Sequence, residues 1–318
     1  MTSEPPGRQV ERWLGVATSV IAPATLLSGL LFYFGYVSSR AQYEYFGVDV
    51  DTIGLSTQDY VMRSPQPLLV PLLVLTVLAV LALLAHAAIG RRIFASGSQD
   101  GGPPRLDRYR QLAQRTVLVG LAVLVGGMAL LLCYPYLREW ALFALVTPVL
   151  IASGAALAGY GARLQARLQP PRPPSEPDDV ARHGRAQADN SLLALRRYAG
   201  GALVVVIVAN IFWATATIAQ WSGRGLAHYN ATHLDRLPST ILDTQQRLFL
   251  RSPGIEETAL PAAPGQTFRY RYRHLRLLIE GNDRMFLVPD RWSASNSTLI
   301  VPLDGTVRVQ FQFENDPP

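Results

Sequence analysis

Lysine is missing altogether: all 29 basic residues of this 318-residue chain are arginine. The bias points to a GC-rich genome and not to a physical demand for guanidinium forks. Cysteine is almost missing too. Cys133 stands alone, so neither an intramolecular disulfide nor a cysteine-based zinc site can form, and an exported segment would have to rely on its own hydrophobic core. Charge is scarce, at 16% of residues, and the mean hydropathy is +0.16; helices that face lipid cannot carry the usual polar face. No P-loop, Rossmann fingerprint, HExxH helix or GxSxG elbow occurs, which removes the catalytic classes those motifs serve. The five histidines are scattered, and His228 and His233 are spaced five apart instead of the four that would set two metal ligands on one helical face. No carboxylate lies inside the hydrophobic blocks, which weakens a proton- or ion-coupled transporter. The expectation is a chain without enzymatic activity, cofactor or metal.

What is present is hydrophobic length. Residues 13–37 contain no charge over 25 positions, enough at about 1.5 Å per residue to cross a hydrocarbon core of about 30 Å. The block exceeds the apolar region of about 7–15 residues of a cleaved signal peptide, so it reads as a retained span. Four more blocks follow at 65–90, 116–137, 140–162 and 199–221. Pro23, Pro71 and Pro148 interrupt three of the five, as membrane helices tolerate when neighbours satisfy the freed carbonyls. The expected fold is therefore a membrane α-helical protein with five transmembrane helices and a small, mostly-β extracytoplasmic C-terminal domain.

Arginine placement sets the direction. Residues 91–115 hold six arginines and 163–198 hold seven, against two in 38–65 and one in 137–139. Arginine-rich short loops stay in the cytoplasm, which puts residues 1–12 inside and sends the fifth span outward. The basic pI of 9.7 thus reports topology, not a nucleic-acid partner. Trp13, Trp140 and Trp221 fall at expected boundaries, where indole rings anchor. Residues 169–189, rich in proline and acids, read as a tether within the 163–198 segment.

Outside, residues 38–64 form an aromatic and acidic loop. Ser56 with Asp59 three positions on predicts an N-capped helix leading into the second span. Asp49, Asp51 and Asp59 read as surface acids and as a candidate interaction surface. Residues 222–238 read as a helical stalk closed by Pro238, and 239–318 as a β-domain of five or six strands. A short strand is expected at 247–250 and a basic one where Phe268, Tyr270 and Tyr272 alternate with Arg269, Arg271 and Arg273, the aromatics inward. An aliphatic strand at 274–280 and one at 284–288, joined as a hairpin through Gly281, Asn282 and Asp283, and strands at 298–301 and 306–313 complete it. The three arginines are a candidate contact for an anionic surface or partner. Within the spans, Gly154, Ala158 and Gly161 line one helix for close packing, within one chain or between copies, and Asn210 is expected to bond a neighbouring helix.

The strings Tyr45-Phe46-Gly47-Val48-Asp49, Ser56-Thr57-Gln58-Asp59-Tyr60 and Arg63-Ser64, with Gln246-Arg247-Leu248 and Tyr270-Arg271-Tyr272 in the tail, resemble multi-pass integral membrane proteins of Streptomyces and related actinobacteria. That resemblance implies the plasma membrane and says nothing about catalysis. Two readings follow: a scaffold or sensor presenting the β-domain to an extracytoplasmic protein or the envelope, and an oligomeric pore lined by Asn210, Thr215 and Thr217. The partners expected are the lipid bilayer, further copies of the chain, and that envelope partner.

Overall fold

The computed structural model describes residues 6–97, 104–137, 139–168, 179–250, 252–293 and 295–312. Five helices are long and apolar enough to cross a membrane, over Ile21–Glu44, Pro65–Arg91, Tyr109–Leu132, Phe143–Leu168 and Arg197–Thr232. A separate antiparallel sheet occupies the C-terminal region. The chain divides into two compact units, Pro71–Ile218 and a second made of Met1–Val70 with Ala219–Pro318.

In the first unit α5 (Pro104–Leu132) and α7 (Phe143–Leu168) form a hairpin through the short α6 (Tyr134–Leu137). Its helices touch backbone to backbone because small residues meet at the crossing. A Cβ on Gly120 would lie 2.4 Å from the Ala158 nitrogen, one on Gly154 2.5 Å from the Leu124 nitrogen, and one on Gly161 2.7 Å from Val117 Cγ2. Pro148 cannot donate to Ala144, four residues back, so that carbonyl is freed. Thr217 of α8 (Asp179–Thr232) reaches it, its Oγ1 donating to Ala144 O at 3.1 Å while also meeting Trp213 O of its own helix. The start of α8 at Asp179 corrects the tether reading for 179–189, which is helical; the proline-rich 169–178 lies outside the described residues.

In the second unit α1 (Pro6–Glu44) is followed by α2 (Val50–Ile53), α3 (Thr57–Arg63) and the start of α4 (Pro65–Gly97). The predicted capping box is present, with Ser56 Oγ accepting from the Asp59 amide and the Asp59 carboxylate accepting from the Ser56 amide. Past Thr232 the chain makes a 3-10 turn at Leu234–Arg236 and enters the sheet at Ser239. The strands are β1 (Ser239–Thr244), β2 (Glu256–Ala259), β3 (Tyr270–Gly281), β4 (Arg284–Pro289), β5 (Leu299–Pro302) and β6 (Val307–Gln312), in the order β5-β4-β3-β1-β6 with β2 also paired to β3. Six strands agree with the expected number, but two differ in place. The strand expected at 247–250 does not form, because Phe249 adopts a left-handed backbone (φ 50°) that breaks an extended run; β1 and β2 take its place.

The basic and aliphatic segments expected as two strands are one, β3. His274 (φ 64°) forms a bulge opposite β1, and a second irregularity lies opposite β4 between Leu277 and Ile279. Bulges bend a strand and re-aim its side chains. Tyr272, Leu275 and Leu277 consequently enter one core with Leu242, Met285, Leu287 and Val301, whereas Ile279 turns to the other side of the sheet. Asn282 and Asp283, at φ 49° and 55°, make the two-residue turn of the β3–β4 hairpin.

Candidate functional site

β4 reads Arg-Met-Phe-Leu-Val-Pro, and all five residues after the arginine are buried. Alternation would leave every second one in water, so the hairpin is covered on both faces. One face is the sheet's own core. The other face is covered by the 38–64 loop: Phe286 and Ile279 pack with Val48, Val50, Ile53, Tyr43 and Tyr60. Beside them Val288 packs with Phe46 of the loop and Ala227 and Leu234 of the stalk. Trp292 meets the Phe46 ring edge-on at 5.0 Å, and Thr298 Oγ1 donates to Phe46 O at 2.7 Å.

The fit is close at backbone level. A Cβ on Gly281 would lie 2.5 Å from Ile53 O, and one on Gly54 2.9 Å from Asn282 Cβ. Gly54 also terminates α2 at φ 75°, a conformation open to glycine. On the stalk side a Cβ on Gly223 would fall 2.0 Å from Ser38 O, so α1 and α8 meet there through backbone. Phe32, Tyr36 and Tyr60 form an aromatic cluster beneath the loop, Tyr60 lying 5.4 Å from each of the other two rings.

The predicted acids occupy this junction in structural roles. Asp49 caps α2 and accepts from the Asp51 amide at 3.2 Å, Asp51 accepts from Tyr36 Oη at 3.3 Å, and Asp59 closes the capping box. Hydrogen bonds from Ser56 hold the Asp59 carboxyl below its ordinary range. An open cleft of about 250 Å³ is lined by Arg40, Glu44, Gly47, Val48, Asp49 and Val50, below the usual range of about 300–1,000 Å³ for small-molecule sites. His228 Nδ1 lies 3.4 Å from Tyr45 Oη, and His233 stacks on Tyr229.

The three predicted arginines separate. Arg269 and Arg273 are exposed, Arg273 opposite Glu256 in the β2–β3 register. Arg271 is instead half of an ion cluster with fully buried Asp243, donating from Nε at 2.8 Å and Nη2 at 3.0 Å. Arg308 adds a bond from Nη2 at 2.6 Å and stacks on Phe268. Tyr272 is buried and Tyr270 half-buried, as the alternation predicted. Sequence reasoning missed Asp243, which sits 28 positions from Arg271.

Donation from Arg271, opposed by burial and reinforced by Arg308, holds the Asp243 carboxyl below its ordinary range. A lowered folded pKa stabilises above the unfolded value of about 3.9, and that contribution disappears as pH falls through the folded value. Asp243→Asn is expected to destabilise the sheet by about 2 kcal/mol at neutral pH and to flatten the loss of stability below about pH 4. Denaturant unfolding of the purified full chain across pH, followed by tyrosine and tryptophan fluorescence, measures both.

In the helical unit, Gly154, Ala158 and Gly161 are all spent on α5 within the same chain. Asn210 Nδ2 donates to Val206 O of its own helix at 2.8 Å, in place of the expected neighbouring-helix bond. Thr215 likewise donates to Ile211 O at 2.8 Å. His86 Nδ1 lies 3.3 Å from Tyr160 Oη. No family model, curated protein or solved structure matches the chain.

Proposed function

We propose that this chain is a non-enzymatic scaffold or sensor of the plasma membrane. Its N-terminus lies in the cytoplasm, and its outer loop and sheet lie outside, presenting one composite surface to an extracytoplasmic protein or the cell envelope. The observation that carries the reading is the shared core of Ile53, Ile279 and Phe286. Residues 38–64 join the first span to the second, so a partner that displaces the sheet also acts on the ends of both spans. A freely tethered tail would bind without consequence for the helices; a clamped one couples binding to them.

The orientation rests on the arginine-rich loops, and the plasma membrane on the actinobacterial resemblance. A pore is less well supported. Thr215 and Thr217, which would line it, are buried and donate to helix carbonyls. Alkaline-phosphatase and fluorescent-protein fusions after residues 64, 100, 180 and 318 test the orientation. Phosphatase activity at 64 and 318 with fluorescence at 100 and 180 is expected, and active phosphatase at 100 or 180 overturns it. Planar-bilayer recording of the purified protein tests the activity, since reproducible selective conductance would replace the scaffold with a channel.

A further inference from the structure

The sheet ends on one side at β6, which pairs with β1 alone among the described residues. The ladder is regular over six pairs, from Ser239 with Gln312 to Thr244 with Val307. Pro238 and Thr244 both present their carbonyls to β3, accepting from Leu277 and Arg269. Backbone groups alternate sides along a strand, so the even-numbered residues of β1 face β3 and the odd-numbered ones face β6. Their partners Arg308, Gln310 and Gln312 therefore complete the ladder. The N–H and C=O groups of Val309 and Phe311 point outward along an edge that no strand among the described residues pairs.

Exposed edges are normally blocked by proline, a bulge or an outward charge. β6 (Val-Arg-Val-Gln-Phe-Gln) contains no proline, and its register with β1 shows no shift. Its one charge, Arg308, is turned onto buried Asp243. The face that carries Val307 and Val309 continues into Phe311, which is 54% exposed.

We propose that β6 is a homotypic docking edge, where a second copy of this chain adds its own β6 antiparallel across a two-fold axis at Val309. Paired residues of an antiparallel ladder share a face, and this register sets Val309 against Val309 of the second copy and Val307 against Phe311. Both pairs use outward-facing backbone groups, so each is a hydrogen-bonded pair. The apolar row then runs unbroken through both copies and covers Phe311. Arg308 meets Gln310, and no like charges oppose each other. One strand pair is smaller than the roughly 1,000 Å² of a stable soluble interface. Copies held in one bilayer present this edge at a common level and a raised effective concentration, which offsets the small area. The inference goes beyond the scaffold reading and does not depend on which way the chain faces.

The test uses the full chain in proteoliposomes, with Cys133→Ser removing the exposed native thiol. In a hydrogen-bonded antiparallel pair the Cα atoms lie about 5.5 Å apart, inside the disulfide range of about 4.4–6.8 Å. Val309→Cys is expected to form a disulfide dimer under mild oxidation about tenfold faster than Gln310→Cys or Ile300→Cys, whose self-distances exceed that range. Equal rates at the three positions, or none at Val309→Cys, overturn the proposal. Val309→Pro supplies the second readout, because it deletes only an outward N–H and leaves the β1 ladder intact. Energy transfer between labelled copies should fall to the level of dilution by lipid; transfer equal to the parent's refutes the docking edge even if the cysteine variants misfold.

Discussion

Phe286→Ala is expected to destabilise the second unit by about 3–5 kcal/mol, the cost of removing a fully enclosed aromatic ring from a core that collapses only in part. Phe286 has no exposed surface, and its neighbours come from two segments far apart in the chain, the 38–64 loop and β3. Ile53→Ala, also fully buried, should cost about 2–5 kcal/mol by the same mechanism. The decisive quantity is their coupling. Residues in contact show an interaction energy of about 0.5–3 kcal/mol in a double-mutant cycle, while independent sites add. Denaturant titration of the full chain and its three variants gives the cycle. Additivity would mean that loop and sheet fold as separate bodies, and the coupling on which the proposed sensor role rests would be lost. Accelerated trypsin cleavage at Arg63, which is half-buried and donates to Tyr43 Oη at 2.6 Å, should accompany the destabilised variants.

How legible this junction was follows from two strings. Ser56 to Asp59 signals its helix start locally, because both capping partners lie within one turn, and the structure contains that box. Residues 285–289 carried a signal that alternation-based reading passes over. Five consecutive apolar positions are too many for a strand with one wet face. They foretell a cover on both sides without naming what supplies it, because most of the covering residues, those of the 38–64 loop, lie more than 200 positions away, as the bond from Thr298 to Phe46 shows. Asp243 was invisible for a related reason. Its strand, Ser-Thr-Ile-Leu-Asp-Thr, is short and mostly polar, and the groups that enclose the Asp243 carboxylate are arginines of β3 and β6. The strand expected at 247–250 failed on a single backbone angle at Phe249, which no propensity encodes. That the chain holds five long apolar helices was, by contrast, legible, since an uninterrupted hydrophobic length is a property of the segment itself, although the first runs over Ile21–Glu44 and not 13–37 and the third ends at Leu132 and not 137.

Gly154→Leu carries the second large effect. A Cβ at this position would stand 2.5 Å from the Leu124 nitrogen, 2.8 Å from its Cα and 2.9 Å from Gly120 O. All three are backbone atoms, so no rotamer change relieves the overlap, and α5 must move away from α7 along the crossing. Overpacking of this kind costs about 1–3 kcal/mol where side chains can yield, and the rigid neighbours here place Gly154→Leu at about 3 kcal/mol or above. Gly120→Leu should match it, since its own Cβ would meet Gly154 O at 2.9 Å. Gly126→Leu supplies the contrast on the same helix, because nothing lies within 4 Å of its Cβ position, and its thermal midpoint should equal the parent's. The same variants decide what the small-residue stripe is for. If Gly154→Leu loses midpoint in detergent at every protein concentration, the stripe seals the hairpin of one chain. A midpoint equal to that of Gly126→Leu, with loss of self-association in lipid, would transfer the stripe to an interface between copies and leave α5 and α7 held by other contacts.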